Sequence, residues 1–148
     1  MGKNKCSHDL PESEWVLREM LKVAMEDEKN ANVGYRRLAR EANYFRDRKR
    51  LFAIADDEGR HFRLLSYIYK GLFGGPVPKV RVFPKRIHRF DVEVGKAIAD
   101  EYDAAEFYKE ILGKLQCEEY KNIIRSIIAD ELNHARILES MLGFCQGR

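Results

Sequence analysis

Two short runs, Glu58-x-x-His61 and Glu131-x-x-His134, each put a carboxylate and an imidazole three residues apart. Positions i and i+3 share one face of a helix, so each pair can aim at a single point. Another glutamate stands thirty residues upstream of each run, Glu28 and Glu101, and a tyrosine follows each of these by seven, Tyr35 and Tyr108. An offset of 73 lays Glu28 on Glu101, Tyr35 on Tyr108, Glu58 on Glu131 and His61 on His134. Asp57 falls on Asp130 and Asp27 on Asp100, while Ala24, Ala31, Ile54 and Leu65 fall on Ala97, Ala104, Ile127 and Leu138. The two halves are copies of one unit, and the copies retain their polar residues. Carboxylate oxygen and neutral imidazole nitrogen are the donors that first-row divalent metals accept.

The segments that must position these residues are rich in Ala, Leu, Glu, Lys and Arg, all good helix formers. The spacing predicts four helices, over 12–41, 46–72, 91–114 and 118–142. Their seams step by three and four residues: Leu17, Leu21, Ala24, Glu28, Ala31, Tyr35 and Leu38 in the first; Leu51, Ala55, Glu58, Phe62 and Leu65 in the second. The third runs Val94, Ala97, Glu101, Ala104, Tyr108 and Ile111, and the fourth Ile124, Ile127, Glu131, His134, Leu138 and Met141. That is the period of bundle packing. Short links after the first and third helices make antiparallel hairpins. Pro76, Pro78 and Pro84 mark a long crossover between them. The expected fold is all-α, one domain over 1–148, a four-helix bundle of two hairpins joined by a long crossover.

Each seam carries a glutamate among apolar residues. A buried, unpaired carboxylate is very costly, and four of them converging on one core require positive charge between them. Two divalent ions balance four carboxylates, and His61 and His134 complete the set. Glu28, Glu58, His61, Glu101, Glu131 and His134 are therefore the candidate metal ligands. This is the ligand pattern of di-iron and di-manganese carboxylate bundles. The spacing favours neither metal, because these hard donors suit both. Asp57 and Asp130 are the candidates to accept the second ring N–H of the histidines, Asp57 from His134 and Asp130 from His61. Tyr35 and Tyr108 are placed to hydrogen-bond a ligand carboxylate. Asp27, Asp100, His8 and His88 read as surface residues, Cys6, Cys117 and Cys145 as inert thiols, and Trp15 and Phe144 as packing at the bundle ends.

Composition excludes other classes. The 148 residues are 34% charged and 45% apolar, which fits neither a disordered tail nor a membrane protein. The longest apolar run, Leu51 to Ala55, is far short of the ~20 residues that span a bilayer. Residues 1–12 carry no apolar signal core, so the expected compartment is the cytoplasm. A net charge of +3 is too small to argue for nucleic acid. The three cysteines form no C-x-x-C pair, which excludes a zinc ribbon or a rubredoxin-type iron site within the chain.

Glu28-x-x-Ala31-x-x-x-Tyr35-x-x-x-Ala39 and Leu51-Phe52-x-Ile54-Ala55-Asp56-Asp57-Glu58-x-x-His61 resemble the first and second helices of the rubrerythrin di-iron domain, within the ferritin-like superfamily. The resemblance covers most of 16–142. It implies a di-iron site with the six ligands above, Glu58 and Glu131 bridging, and Glu28, Glu58, Glu101, Glu131, Tyr35 and Tyr108 as catalytic residues. It also implies a homodimer and a peroxide-reducing oxidoreductase. Three departures stand out. No four-cysteine rubredoxin segment follows the fourth helix, so an external electron donor is expected. Ala104 occupies the position where many rubrerythrins carry an extra carboxylate. The thirty-residue spacing between glutamates is short for the family. Bacterioferritin is similar too, but Gly59 and Leu132 stand where its haem-binding methionine would follow a bridging glutamate. The alternatives are a ferroxidase or iron-handling protein using dioxygen, a di-manganese protein, or a metal-free bundle. Lys79, Arg81, Lys85, Arg86 and Arg89, with Arg46, Arg48, Lys49 and Arg50, form basic loops that either face solvent or receive an acidic, rubredoxin-like donor.

Overall fold

The computed structural model describes the backbone of residues 14–146 and the side chains of 14–143. Four helices follow in order: α1 (Glu14–Glu41), α2 (Phe45–Phe73), α3 (Phe90–Lys114) and α4 (Glu118–Gln146). The three-residue links 42–44 and 115–117 fold α1 against α2 and α3 against α4. The hairpins then meet through α1 with α3 and α2 with α4. The fold is the all-α bundle expected from the periodicity. Six of the eight expected boundaries agree to within one residue. The fourth helix runs past Gly143 to Gln146, because one glycine costs a helix only about 1 kcal/mol and does not end it. The expected start at residue 12 lies outside the described residues.

The core comes in two apolar layers. One holds Leu17, Leu21, Met25, Leu65, Ile68, Ile111 and Ile124; the other holds Leu38, Leu51, Ile54, Val94, Leu138 and Met141. The start of α1 therefore shares one bundle end with the close of α2, the close of α3 and the start of α4. Between the layers lie the buried polar residues Glu28, Glu58, His61, Glu101, Glu131 and His134. Tyr108 belongs to the first layer and Tyr35 to the second, one on each side of this polar band.

This arrangement makes the crossover traverse the bundle. α3 alone, at 25 residues, is about 38 Å long. Residues 74–89, which form neither helix nor strand, reach ~53–58 Å when fully extended, enough to span that length. The traverse begins at Gly74 and Gly75, with φ of 68° and 72°, a left-handed region that other residues enter only at a cost. The Gly74 amide donates to Lys70 O and closes α2. Gly71 admits the other hairpin: a Cβ there would sit 1.8 Å from the Tyr120 hydroxyl.

Two sequence expectations need correction. Trp15 does not pack a bundle end among the described residues; it is 69% exposed on the first turn of α1. The side chain of Phe144 lies outside the described residues. Cys117 is not a free thiol but disulfide-bonded. The side chain of Cys145 lies outside the described residues. Cys6 and His8 lie outside the described residues.

Candidate metal centre

Each helix delivers its glutamate to the same level, and all four are 2–3% exposed. The helix spacing then places His61 one turn beyond Glu58 and His134 one turn beyond Glu131, both fully enclosed. His61 Nδ1 lies 3.2 Å from Glu131, 3.4 Å from Glu28 and 3.5 Å from Glu58. His134 Nδ1 lies 3.1 Å from Glu58, 3.4 Å from Glu131 and 3.6 Å from Glu101. Two groups result, Glu28–Glu58–His61–Glu131 and Glu58–Glu101–Glu131–His134, each with its ligand atoms within 4.8 Å of one another. Glu58 and Glu131 belong to both. The imidazole rings lie 6.0 Å apart at 28°.

The outward nitrogens settle the ring orientation. His61 Nε2 meets Asp130 Oδ2 at 2.8 Å, and His134 Nε2 meets Asp57 Oδ2 at 2.8 Å. An Nε2–H donating to each aspartate leaves both Nδ1 lone pairs facing carboxylate oxygens. Lone pair against lone pair at 3.1–3.6 Å is repulsive unless a cation lies between. Five of these atoms, Glu58 Oε1, His61 Nδ1, Glu101 Oε2, Glu131 Oε1 and His134 Nδ1, and the second oxygen of Glu28, Oε2, have no hydrogen-bond partner. Buried polar atoms are seldom left so, and six in one cluster fit a pair of divalent ions in charge, donor type and number.

Protons substitute imperfectly for such ions. Desolvation raises the pKa of Glu28 and raises that of Glu58 further, with neighbouring carboxylates adding to both. Desolvation carries Glu101 up to about 7 against the opposing pull of His134. Glu131 goes the other way, to about 2, because hydrogen bonds to His134 and His61 outweigh its desolvation. Desolvation disfavours both imidazolium ions, yet the surrounding glutamates overcome it and hold His61 and His134 well above their ordinary value.

The tyrosines cross between hairpins. Tyr35 on α1 donates to Glu101 on α3, and Tyr108 on α3 donates to Glu28 on α1 at 2.5 Å. Burial, then the adjacent carboxylates, keep both phenols protonated and able to donate. Asp27 and Asp100 are exposed at the rim of a cavity that opens above Glu28 and Glu101, and His88 is exposed.

Residues 93–147 match the Rubrerythrin family model. The matched residues span α3 and α4, the second hairpin. No curated relative matches the chain. A solved structure, a hypothetical protein from Pyrococcus furiosus, is similar at 23% identity with a TM-score of 0.77, over 90% of this chain and 94% of that one. That likeness speaks to the four-helix fold alone. Relative to the rubrerythrin pattern, Ala104 keeps its place at the α3 position lacking an extra carboxylate, and it lines the cavity. Glu106 and Glu110 are exposed and away from the centre. No described helix is long and apolar enough to cross a membrane.

Sequence reasoning missed two sets of residues around this centre. Arg60 Nη2 joins Asp130 at 2.7 Å and Asp57 at 3.4 Å, tying the two histidine partners together. Its counterpart at the 73-residue offset is Asn133, so the repeat gave no signal. Asn30 holds the crossover: its Nδ2 donates to Arg81 O at 2.7 Å, and its Oδ1 accepts from Phe83 N at 2.7 Å. Glu26 accepts from Arg81 N at 3.2 Å, and Arg37 donates to Lys85 O at 2.7 Å.

Proposed function

We propose that this rubrerythrin-like domain is a di-metal carboxylate oxidoreductase that reduces hydrogen peroxide with electrons from a separate donor. The observation that carries the reading is the cluster of six unpartnered ligand atoms in two groups that share Glu58 and Glu131. Two ferrous ions held there would supply one electron each, together with Lewis acidity. Glu28 with His61, and Glu101 with His134, would each hold one ion, and Glu58 and Glu131, common to both groups, would contribute to both. Tyr35 and Tyr108 fix Glu101 and Glu28 through their hydroxyls and keep those carboxylates turned toward the centre. Asp57 and Asp130 fix the histidine tautomer. The balance is H₂O₂ + 2e⁻ + 2H⁺ → 2H₂O, and the ligand glutamates facing the cavity would pass the protons.

The donor would be an acidic protein. Arg86 and Arg89 close the crossover at the bundle end where α2 begins with Arg46, Arg48 and Lys49, and all are exposed. A homodimer in the cytoplasm is part of the same reading. A second reading, ferroxidase or iron handling with dioxygen, uses the same ligands; a di-manganese site does so too. Anaerobic stopped-flow on chain loaded with two Fe²⁺ separates the oxidants. Oxidation by H₂O₂ at least tenfold faster than by O₂ supports the peroxidase. The reverse order assigns the domain to the oxidase or ferroxidase class.

A further inference from the structure

The centre is reached through a cavity of about 570 Å³ between α1, α3 and the crossover. Hydrogen peroxide has two heavy atoms and needs roughly the room of two waters, ~60 Å³ at ~30 Å³ each. The cavity is instead in the range of sites for organic ligands, ~300–1,000 Å³. Its walls are apolar: Ala31, Leu38, Ile87, Ala97, Ala104 and Phe107 line it. Its floor is Glu28 and Glu101, each with an unpartnered oxygen, flanked by Tyr35 and Tyr108. The roof is held in place, because Asn30 grips the backbone of Arg81 and Phe83 on both sides of the strap.

The rim decides the charge of the occupant. Asp27, Glu93, Asp100 and Asp103 line it against Lys85 and Lys96. The excess of carboxylates repels an anionic guest, and the apolar walls below the rim suit a neutral apolar molecule.

We infer that the cavity binds neutral organic hydroperoxides, ROOH, with R against the alanine and phenylalanine walls and the peroxide group at the Glu28–Glu101 floor. The inference rests on the peroxidase reading and names its substrate class. The reaction would be ROOH + 2e⁻ + 2H⁺ → ROH + H₂O: the O–O bond breaks, a ferrous pair held by the six ligands would supply the two electrons, and in turnover the external donor would replace them.

Chain loaded with two Fe²⁺ is mixed anaerobically with H₂O₂ or with cumene hydroperoxide. The expected result is oxidation by cumene hydroperoxide at no less than a tenth of the H₂O₂ rate, releasing one equivalent of 2-phenyl-2-propanol per chain. Ala104→Phe should lower the ratio of cumene hydroperoxide to H₂O₂ rates at least tenfold. Ala31→Leu serves the same purpose if the first variant does not fold. Binding is read without turnover on zinc-loaded chain carrying ¹³C-methyl alanine. The methyl signals of Ala31, Ala97 and Ala104 should shift and saturate as 2-phenyl-2-propanol is added. Three results overturn the inference: rapid oxidation by H₂O₂ with less than a tenth of that rate for cumene hydroperoxide, a rate ratio unchanged by both variants, or unshifted alanine methyls. Failure of both peroxides to oxidise the iron removes the peroxidase reading and the inference with it.

Discussion

On the side formed by α2 and α4, His61 and His134 are backed by Asp130 and Asp57, and Arg60 joins the two aspartates across the surface. On the side formed by α1 and α3, Glu28 and Glu101 are backed by tyrosines from the neighbouring hairpin and open onto a cavity lined by alanines. Both sides descend from the same pair of repeats. One received the Glu-x-x-His runs and a cap of charged hydrogen bonds, which fixes ligand geometry. The other received single glutamates among small residues, which leaves room above them. Rigidity and access are thus divided between faces, and neither needs a mobile element.

The largest test of this division removes a glutamate that both ion positions share. Glu131→Ala or Glu58→Ala should reduce bound metal from about two ions per chain to less than half an ion after dialysis. Glu101→Ala, on the open face, should leave about one. Elemental analysis of the purified variants measures this. Equal losses from all three would show that the centre fills as one unit and not as two positions with shared members.

The second test removes the metal and follows stability against pH. In metal-free chain, Glu101 titrates at about 7 when folded, above its ordinary 4.5, so its stabilisation is full below 4.5 and is lost as pH rises to 7. His61 and His134 are also raised, which extends the loss above pH 6.5. Glu131, at about 2, loses its contribution only as pH falls below 4.5. The melting temperature of metal-free chain should therefore fall between pH 4.5 and 7. Glu101 alone accounts for up to about 3 kcal/mol, on the order of 5–10 °C. Metal-loaded chain should show the opposite slope, because ions displace protons from their ligands. A metal-free Tm that rises across this window would mean that the carboxylates find another source of charge.

How legible these two faces are in the sequence differs for a physical reason. Glu28, Glu58, Glu101 and Glu131 stand out because a carboxylate in an apolar seam contradicts its surroundings. The 73-residue offset then pairs each helix with its copy. The placement of Asp57 near His134 and of Asp130 near His61 follows from the same symmetry, and the structure sets both pairs at 2.8 Å. The tyrosines are half legible: their seam positions show, but which glutamate each serves depends on how α1 lies against α3. Arg60 is hidden, because a charged residue between Asp57 and His61 resembles any solvated helix face and its copy is Asn133. The cavity is hidden too, since Ala31, Ala97 and Ala104 are good helix formers in any setting. Volume left empty has no sequence signature of its own. Trp15 misled because large apolar residues usually bury, and nothing local reveals that its turn faces outward.

The smallest effects sharpen the description of the closed face. Asp130→Asn keeps the shape of the side chain but replaces the charged acceptor of His61 with an amide. Loss of such a carboxylate behind a ligand histidine costs ~10–100-fold in metal affinity. Asp57→Asn should cost the same, at the position served by His134. Arg60 acts one step further out. It is about half exposed, and its ion pairs with Asp130 and Asp57 lie at the surface, where such pairs contribute ~0–1 kcal/mol. Arg60→Gln should therefore change affinity by at most about fivefold. Titration with Co²⁺, followed by its visible absorption, resolves the two positions. An Arg60→Gln effect that exceeds those of both aspartate variants would reverse the order. It would make the cation, and not the carboxylates it bridges, the group that holds the histidines in place.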